Sequence, residues 1–237
     1  MEIVFTVCNR PDYLRETLES WSRVRGIGGH HLTFFCEPVG DESVAACREV
    51  DFASSSVLVN SVRLGVASNP WNALESSFRA HGSPFTVIAE EDTPVADDVL
   101  EYFTWARDRF AARNVMTVCA HQLGHVPPPS GTAADVFLID WFSPVVWGTW
   151  KDRWDTHLRG SWDFDYSHQG WDNQVNMVTK AAGYVTAFPS RSRSQHIGER
   201  SGAHCSPGFF PNTVSQSFAP HYDPQDYVEV GYGHDSA

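Results

Sequence analysis

The sequence predicts an α/β fold with a mostly parallel, Rossmann-like central sheet and helices on both faces. Three observations carry that prediction. Short apolar runs alternate with helix-spaced segments through the first half of the chain. The turn and cap residues that separate them sit where such units begin and end. A chain of 237 residues, 42% hydrophobic and 13% aromatic, is long enough to bury the core of one large domain.

Ile3 to Val7 reads as the first strand. Pro11 to Val24 reads as a helix, with Asn9 as its N-cap and Pro11 in its first turn. Leu32 to Cys36 is a second strand and Glu42 to Glu49 a weaker helix; Val57 to Val59 is a third strand. Asn69-Pro70 opens a helix that closes near Gly82. Phe85 to Ala89, with Thr86, Val87 and Ile88, is a fourth strand, because β-branched side chains suit the pleat. Asp97 to Ala112 is an amphipathic helix with acidic residues in its first turn. Val115 to Ala120 is a fifth strand.

The second half changes character. Pro127 to Pro129 with Ser130-Gly131 mark a loop, after which aromatics are dense: Trp141, Phe142, Trp147, Trp150, Trp154, Trp162 and Trp171. Asp155 to Gly170 is weakly patterned and reads as a mobile loop bordering a site. Helical spacing returns over Trp171 to Ala182, followed by a short strand, Tyr184 to Phe188. From Gly198 onward Gly, Pro, Ser and His dominate. The expected organisation is therefore one domain over residues 1–202, its halves 1–120 and 121–202, and an extended tail over 203–237.

Composition narrows the function. A net charge of -12 opposes nonspecific binding to nucleic acid, whose affinity comes from neutralised phosphates, and so weakens a DNA-directed role without excluding it. No run of about eighteen apolar residues spans a membrane, and no basic region precedes the first strand. The five cysteines lack metal spacing and read mostly as core residues of a reducing compartment, so a cytoplasmic protein is expected. No Gly-x-Gly-x-x-Gly follows the first strand and no Gly-Lys-Ser/Thr occurs, which argues against dinucleotide dehydrogenases and P-loop enzymes.

The chemistry concentrates at strand ends. In a doubly wound sheet, ligands lie beyond the carboxyl ends of the strands. There the chain carries Cys8-Asn9-Arg10, Glu37, Arg63, and the triplet Glu90-Glu91-Asp92. Adjacent anions repel unless a cation or donors sit among them. Amide and acid suit a base and ribose, arginine suits a diphosphate, and carboxylates suit a divalent metal. For Arg10 and Arg63, an ordinary surface salt bridge is the competing reading.

With these residues in hand, the chain resembles GT-A-fold glycosyltransferases, both family 2 enzymes and the N-acetylglucosaminyltransferase of N-glycan branching. Phe5 to Trp21 resembles their opening. Arg63 to Asn69 resembles the segment before their third helix, and Glu90 to Asp92 stands in place of their Asp-x-Asp-type metal motif. Phe142 to Gly148, Trp171-Asp172 and Arg193 to Gly198 follow in the order of the branching enzyme's later elements.

The resemblance implies a metal-dependent inverting hexosyl- or N-acetylhexosaminyltransferase, with a UDP-sugar as the first choice of donor. The acceptor would be a glycan, a protein or another hydroxyl compound, with a modified nucleobase not excluded although direct nucleic-acid binding is not expected. It assigns Asp92 and His196 to Mn2+ or Mg2+, and Asp172 to the general base, with Asp163 and Asp165 as alternatives and a plain N-cap as the competing role. The donor-binding set it implies is Thr6, Cys8, Asn9, Arg10, Glu37, Arg63, Asn69, Glu90, Glu91, Trp147 and Trp171. Among these, Glu37 is expected at the nucleobase or ribose and Glu91 at ribose or donor sugar. The Trp residues are expected either to line a sugar pocket or to be core. Two rival classes stand beside this reading: a sugar-phosphate nucleotidyltransferase, which lacks its Gly-rich loop here, and a noncatalytic sugar-binding protein of the same fold.

Overall fold

The structure is a computed structural model that describes residues 1–122, 131–167, 169–199, 208 and 210–231. The expected Pro127 to Ser130 loop, Cys205 and much of the expected tail lie outside the described residues.

Strands β1 (Glu2–Val7), β2 (His31–Cys36), β3 (Ser54–Val59) and β4 (Phe85–Glu90) pair in parallel in the spatial order β3-β2-β1-β4. Helices α1 (Pro11–Ser22), α2 (Asp41–Arg48) and α3 (Gly65–Arg79) make the crossovers, and α4 (Val99–Phe110) leads to β5 (Val115–Cys119). The chain builds outward from β1 to β3 and then returns to the other side of β1. The boundary between β1 and β4 is therefore the switch point at which such sheets open a crevice.

Alternation along the strands assigns the layers. Ile3, Phe5 and Val7 of β1 point to one face, where they pack with Leu14, Leu18 and Trp21 of α1 and with Val99, Phe103 and Phe110 of α4. Val4, Phe35 and Ile88 point to the other face, toward Ala73, Leu74 and Phe78 of α3 and the tryptophans of the second half.

Beyond β4 the sheet is mixed. Strand β6 (Asp135–Ile139), β7 (Trp147–Trp150), β8 (Val185–Pro189) and β9 (Val228–Glu229) complete the order β3-β2-β1-β4-β7-β5-β8-β6-β9. β7 runs antiparallel between β4 and β5, and β6 runs antiparallel to β8. Gly148 is required in β7, since a Cβ there would lie 2.6 Å from the Phe85 ring.

Three expectations change. Residues 151–161 are successive α, π and 3-10 turns rather than loop, and helix α5 (Trp171–Ala181) follows after residues 162–170. α3 starts at Gly65 instead of Asn69, because the Glu37 carboxylate accepts from the Leu64 and Gly65 amides and caps the helix a turn early, leaving Pro70 inside it. And the described part of the expected tail is built into the fold: β9 pairs with β6, and Tyr227 packs against the core. Among the described residues no helix is long and apolar enough to cross a membrane.

Candidate functional site

The ends of β1 and β4 are tied together by the acidic triplet. Glu91 is 1% exposed; its Oε2 accepts from the Cys8 amide at 2.8 Å, and its Oε1 lies 2.6 Å from Arg10 Nε. Arg10 Nη1 continues to Asp92 Oδ2 at 2.7 Å. Burial opposes the charge on Arg10, but Asp92 and Glu91 outweigh it and the guanidinium pKa rises. Burial likewise opposes the Asp92 carboxylate, yet the His196 bond and Arg10 hold its pKa below the ordinary value. Glu90 gains less compensation: burial first, then the charge of Asp92, pushes its pKa up to about 7. The ion pairs and hydrogen bonds of the triplet thus offset burial at Asp92 more fully than at Glu90.

His196 comes to the triplet through backbone pairing. Residues 193–197 run antiparallel to 92–96, with the Ile197 amide donating to the Asp92 carbonyl at 3.1 Å and the Gln195 amide to the Pro94 carbonyl at 2.9 Å. This places His196 Nε2 3.2 Å from Asp92 Oδ2, 104 positions away in sequence. Gly198 makes room for the group. A Cβ on Gly198 would overlap Asp92 Oδ2, stand 2.8 Å from His196 Nε2 and 3.1 Å from Arg10 Nη1. Asp92 Oδ1, meanwhile, is buried without a hydrogen-bond partner.

A cleft of about 170 Å3 opens at the switch point. Nine of the eleven residues expected to bind donor line it: Thr6, Cys8, Asn9, Arg10, Glu37, Arg63, Asn69, Glu90 and Glu91. Arg63 stands exposed at the rim without an ion pair among the described residues, whereas Arg10 forms the buried ion pairs just described. Asn69 is internal: it donates to the Phe35 carbonyl and accepts from Asn60. Glu37, 3% exposed, spends both oxygens on the α3 amides at 2.8 and 2.7 Å. Burial, then Glu91, pushes the Cys8 thiol pKa up, so it is a neutral wall of the cleft.

No family model matches the chain, and no curated protein matches it in sequence. Solved structures do. Residues 1–349 of S. aureus TarS, in complex with UDP-GlcNAc, superimpose with a TM-score of 0.63 at 12% identity, covering 86% of this chain and 60% of that one. The mannosyltransferase PcManGT from Pyrobaculum calidifontis, in complex with GDP-Man and Mn2+, gives 0.56 at 16% identity, covering 79% of this chain and 54% of that one. The fold is that of GT-A-type glycosyltransferases. This chain thus spans little more than half the length of these two neighbours.

Two of the expected donor contacts are not at the GT-A crevice. Trp147, 1% exposed, and Trp171, 5% exposed, are core side chains. Trp171 stacks on Trp162 with ring centroids 4.8 Å apart and lies 6.0 Å from Trp147; Phe142 meets Trp147 edge-on at 4.9 Å. Large aromatics gain most by full burial here, and Trp162 Nε1 anchors the stack to α3 by donating to the Ala67 carbonyl at 2.9 Å. Trp150 is also buried, with its ring edge-on to Phe85.

Asp172 sits half-buried in the first turn of α5, whose N-cap is Gly170; its carboxylate is therefore not the cap. The alternatives have other duties. Asp163 is 4% exposed and accepts from the Ser167 and Gly170 amides, shaping the loop into α5, and Asp165 accepts from Ser167. A Cβ on Gly170 would lie 2.8 Å from Asp172 Oδ1 and 3.3 Å from Tyr166 Cε1, so carboxylate and ring are neighbours.

Tyr166 is a residue that the sequence reading missed. Its φ of 62° is uncommon for a non-glycine residue, it is 38% exposed, and burial followed by the charges of Asp172, Asp163 and Glu90 raises its pKa. The aromatic ring therefore lies beside the start of α5. His121, at the end of β5, was also missed; burial and then the charge of His196 push its pKa down to about 3, so it stays neutral. Among the described residues no set of three or more His, Cys, Asp or Glu side chains converges as a metal cage.

Proposed function

We propose that this chain is a metal-dependent, inverting glycosyltransferase that moves a sugar from a nucleotide-sugar, with UDP-sugars the first donors to try, to a hydroxyl acceptor. The observation that carries the reading is the Asp92 corner: a buried carboxylate oxygen without a partner, an imidazole nitrogen 3.2 Å from its other oxygen, and a glycine that keeps the space beside both open. That donor set, one carboxylate and one imidazole, fits Mn2+ or Mg2+ when a diphosphate supplies further ligands, the usual arrangement where no all-protein cage exists. The ion, when bound, would neutralise charge on the departing diphosphate.

The remaining work falls to protein groups. Arg63 at the rim and Arg10 beside Asp92 supply positive charge for the two phosphates. Asp172 takes the proton of the acceptor hydroxyl. That oxygen bonds to the anomeric carbon as the bond from this carbon to the β-phosphate oxygen breaks. The nucleoside diphosphate leaves from the opposite face, and the configuration inverts. Tyr166, adjacent to Asp172, offers an aromatic face to the acceptor.

A panel of nucleotide-sugars read by release of nucleoside diphosphate, with Mn2+, Mg2+ or chelator, tests the reading. Asp92→Ala is expected to lose turnover in every metal condition, and full activity in that variant sinks the metal role. Asp172→Asn is expected to bind donor normally and lose transfer by about 10²- to 10⁴-fold, the usual range for a removed general base.

A further inference from the structure

His196 is held from its far side by a residue outside every motif. His196 Nδ1 lies 2.8 Å from Thr213 Oγ1. The same Oγ1 lies 2.8 Å from the Phe210 carbonyl, a pure acceptor, so the single hydroxyl proton has its partner there and a lone pair faces the imidazole. Nδ1 then carries a proton, and Nε2, 3.2 Å from Asp92 Oδ2, is the ring nitrogen that can exchange its own proton for a cation. Either a proton on Nε2 or a bound cation supplies the positive charge between Nε2 and the carboxylate, and Arg10 Nη1 reaches the same Oδ2 at 2.7 Å.

The segment bearing Thr213 is locked to the strand bearing His196. Gln195 and Ser215 exchange hydrogen bonds, with the Ser215 amide donating to Gln195 Oε1 at 2.8 Å and Gln195 Nε2 to the Ser215 carbonyl at 3.0 Å. The Ser192 amide donates to Ser217 Oγ at 3.0 Å. Further along, Tyr222 covers the Arg193 guanidinium at 4.3 Å, and Tyr227 donates to Asp98 at 2.7 Å; Arg193 and Asp98 form a fully buried pair.

We propose that Thr213 is a positioning residue, which holds His196 as the Nδ1–H tautomer and so presents Nε2 as the metal-ligating nitrogen. The proposal rests on the metal-site reading above and adds a tautomer-setting partner to it. Such partners tune affinity by about 10- to 100-fold without touching the ion.

The test compares wild type, Thr213→Val and Thr213→Ser. Histidine ¹⁵N shifts, recorded in metal-free protein at a pH where the ring is neutral, are expected to show Nδ1–H in wild type and Thr213→Ser and a tautomer mixture in Thr213→Val. Mn2+ titrated calorimetrically with UDP, and separately with GDP, is expected to bind about 10- to 100-fold more weakly to Thr213→Val, with most of the affinity restored in Thr213→Ser. An Nε2–H ring in wild type, or equal Mn2+ affinity in all three proteins, overturns the proposal. A wild type that takes up no Mn2+ with either nucleotide instead overturns the metal reading, while the ¹⁵N shifts still report whether Thr213 sets the ring. Equal loss of melting temperature in Thr213→Val and Thr213→Ser, with Mn2+ affinity unchanged, reduces Thr213 to a packing residue and also overturns it.

Discussion

The two halves of the molecule use polar and aromatic residues in opposite ways. On the β1–β4 side, charged side chains stand at strand ends and face a cleft, where Arg10, Glu91 and Asp92 tie the end of β1 to the end of β4. On the β7–α5 side, tryptophans that sequence reading offers to a sugar are stacked face to face in the interior. The lesson is that position at a strand terminus decides which side chains reach the cleft, whereas a residue's chemical aptitude for a ligand does not. A tryptophan suits a sugar ring, but burying it stabilises the fold by more than an exposed contact would.

The largest expected effect lies on the aromatic side. Trp171→Ala removes the ring that touches Trp162, Trp147 and Phe142, and is expected to cost about 3–5 kcal/mol of stability, read by chemical denaturation. If Trp171 were instead a donor contact, stability would hold and only the KM for donor would climb. That outcome would break the comparison.

Much of the first half was legible because its signals are local. A strand with its terminal residues is contiguous in sequence, and helical crossovers make β1 to β4 parallel, so the triplet, Arg10 and Arg63 could be gathered on one edge. Antiparallel β7 was not legible, since Trp147 to Trp150 has no polar alternation to mark it: all four residues are buried. In the sequence, Asp172 stands ahead of Asp163 only through its Trp-Asp element at a helix start. The loop conformation separates them, since Asp163 is consumed by the Ser167 and Gly170 amides while Asp172 is left in the first turn of α5. Thr213 lies in a stretch whose composition reads as tail. Its bond to His196 depends on pairings with residues about twenty positions earlier, and composition does not encode these.

A middle-sized effect sharpens the contrast from the cleft side. Gly198→Ala adds one methyl group against Asp92, His196 and Arg10 and touches none of the aromatic core. Misplacing reacting or ligating groups by about 1 Å costs on the order of 10²-fold. The variant is therefore expected to bind donor and turn over about 10²-fold less well, with a melting temperature close to wild type. A large drop in melting temperature with intact catalysis would make this corner a packing site like the tryptophan stack.

The smallest effect concerns the residue that belongs to both halves of the comparison. Glu37 lines the cleft, where a nucleobase or ribose contact was expected of it, yet its two oxygens hold the Leu64 and Gly65 amides at the start of α3. Glu37→Gln keeps the shape but loses the charge and one of the two acceptors, leaving an amide at a buried helix start without its partner. The expected cost is about 1–2 kcal/mol of stability, with donor preference among uridine, guanosine and thymidine diphosphates unchanged. A variant that melts like wild type but reorders those nucleotides would move Glu37 from scaffold to recognition. Strand-end position would then have been the better guide even where the hydrogen bonds point inward.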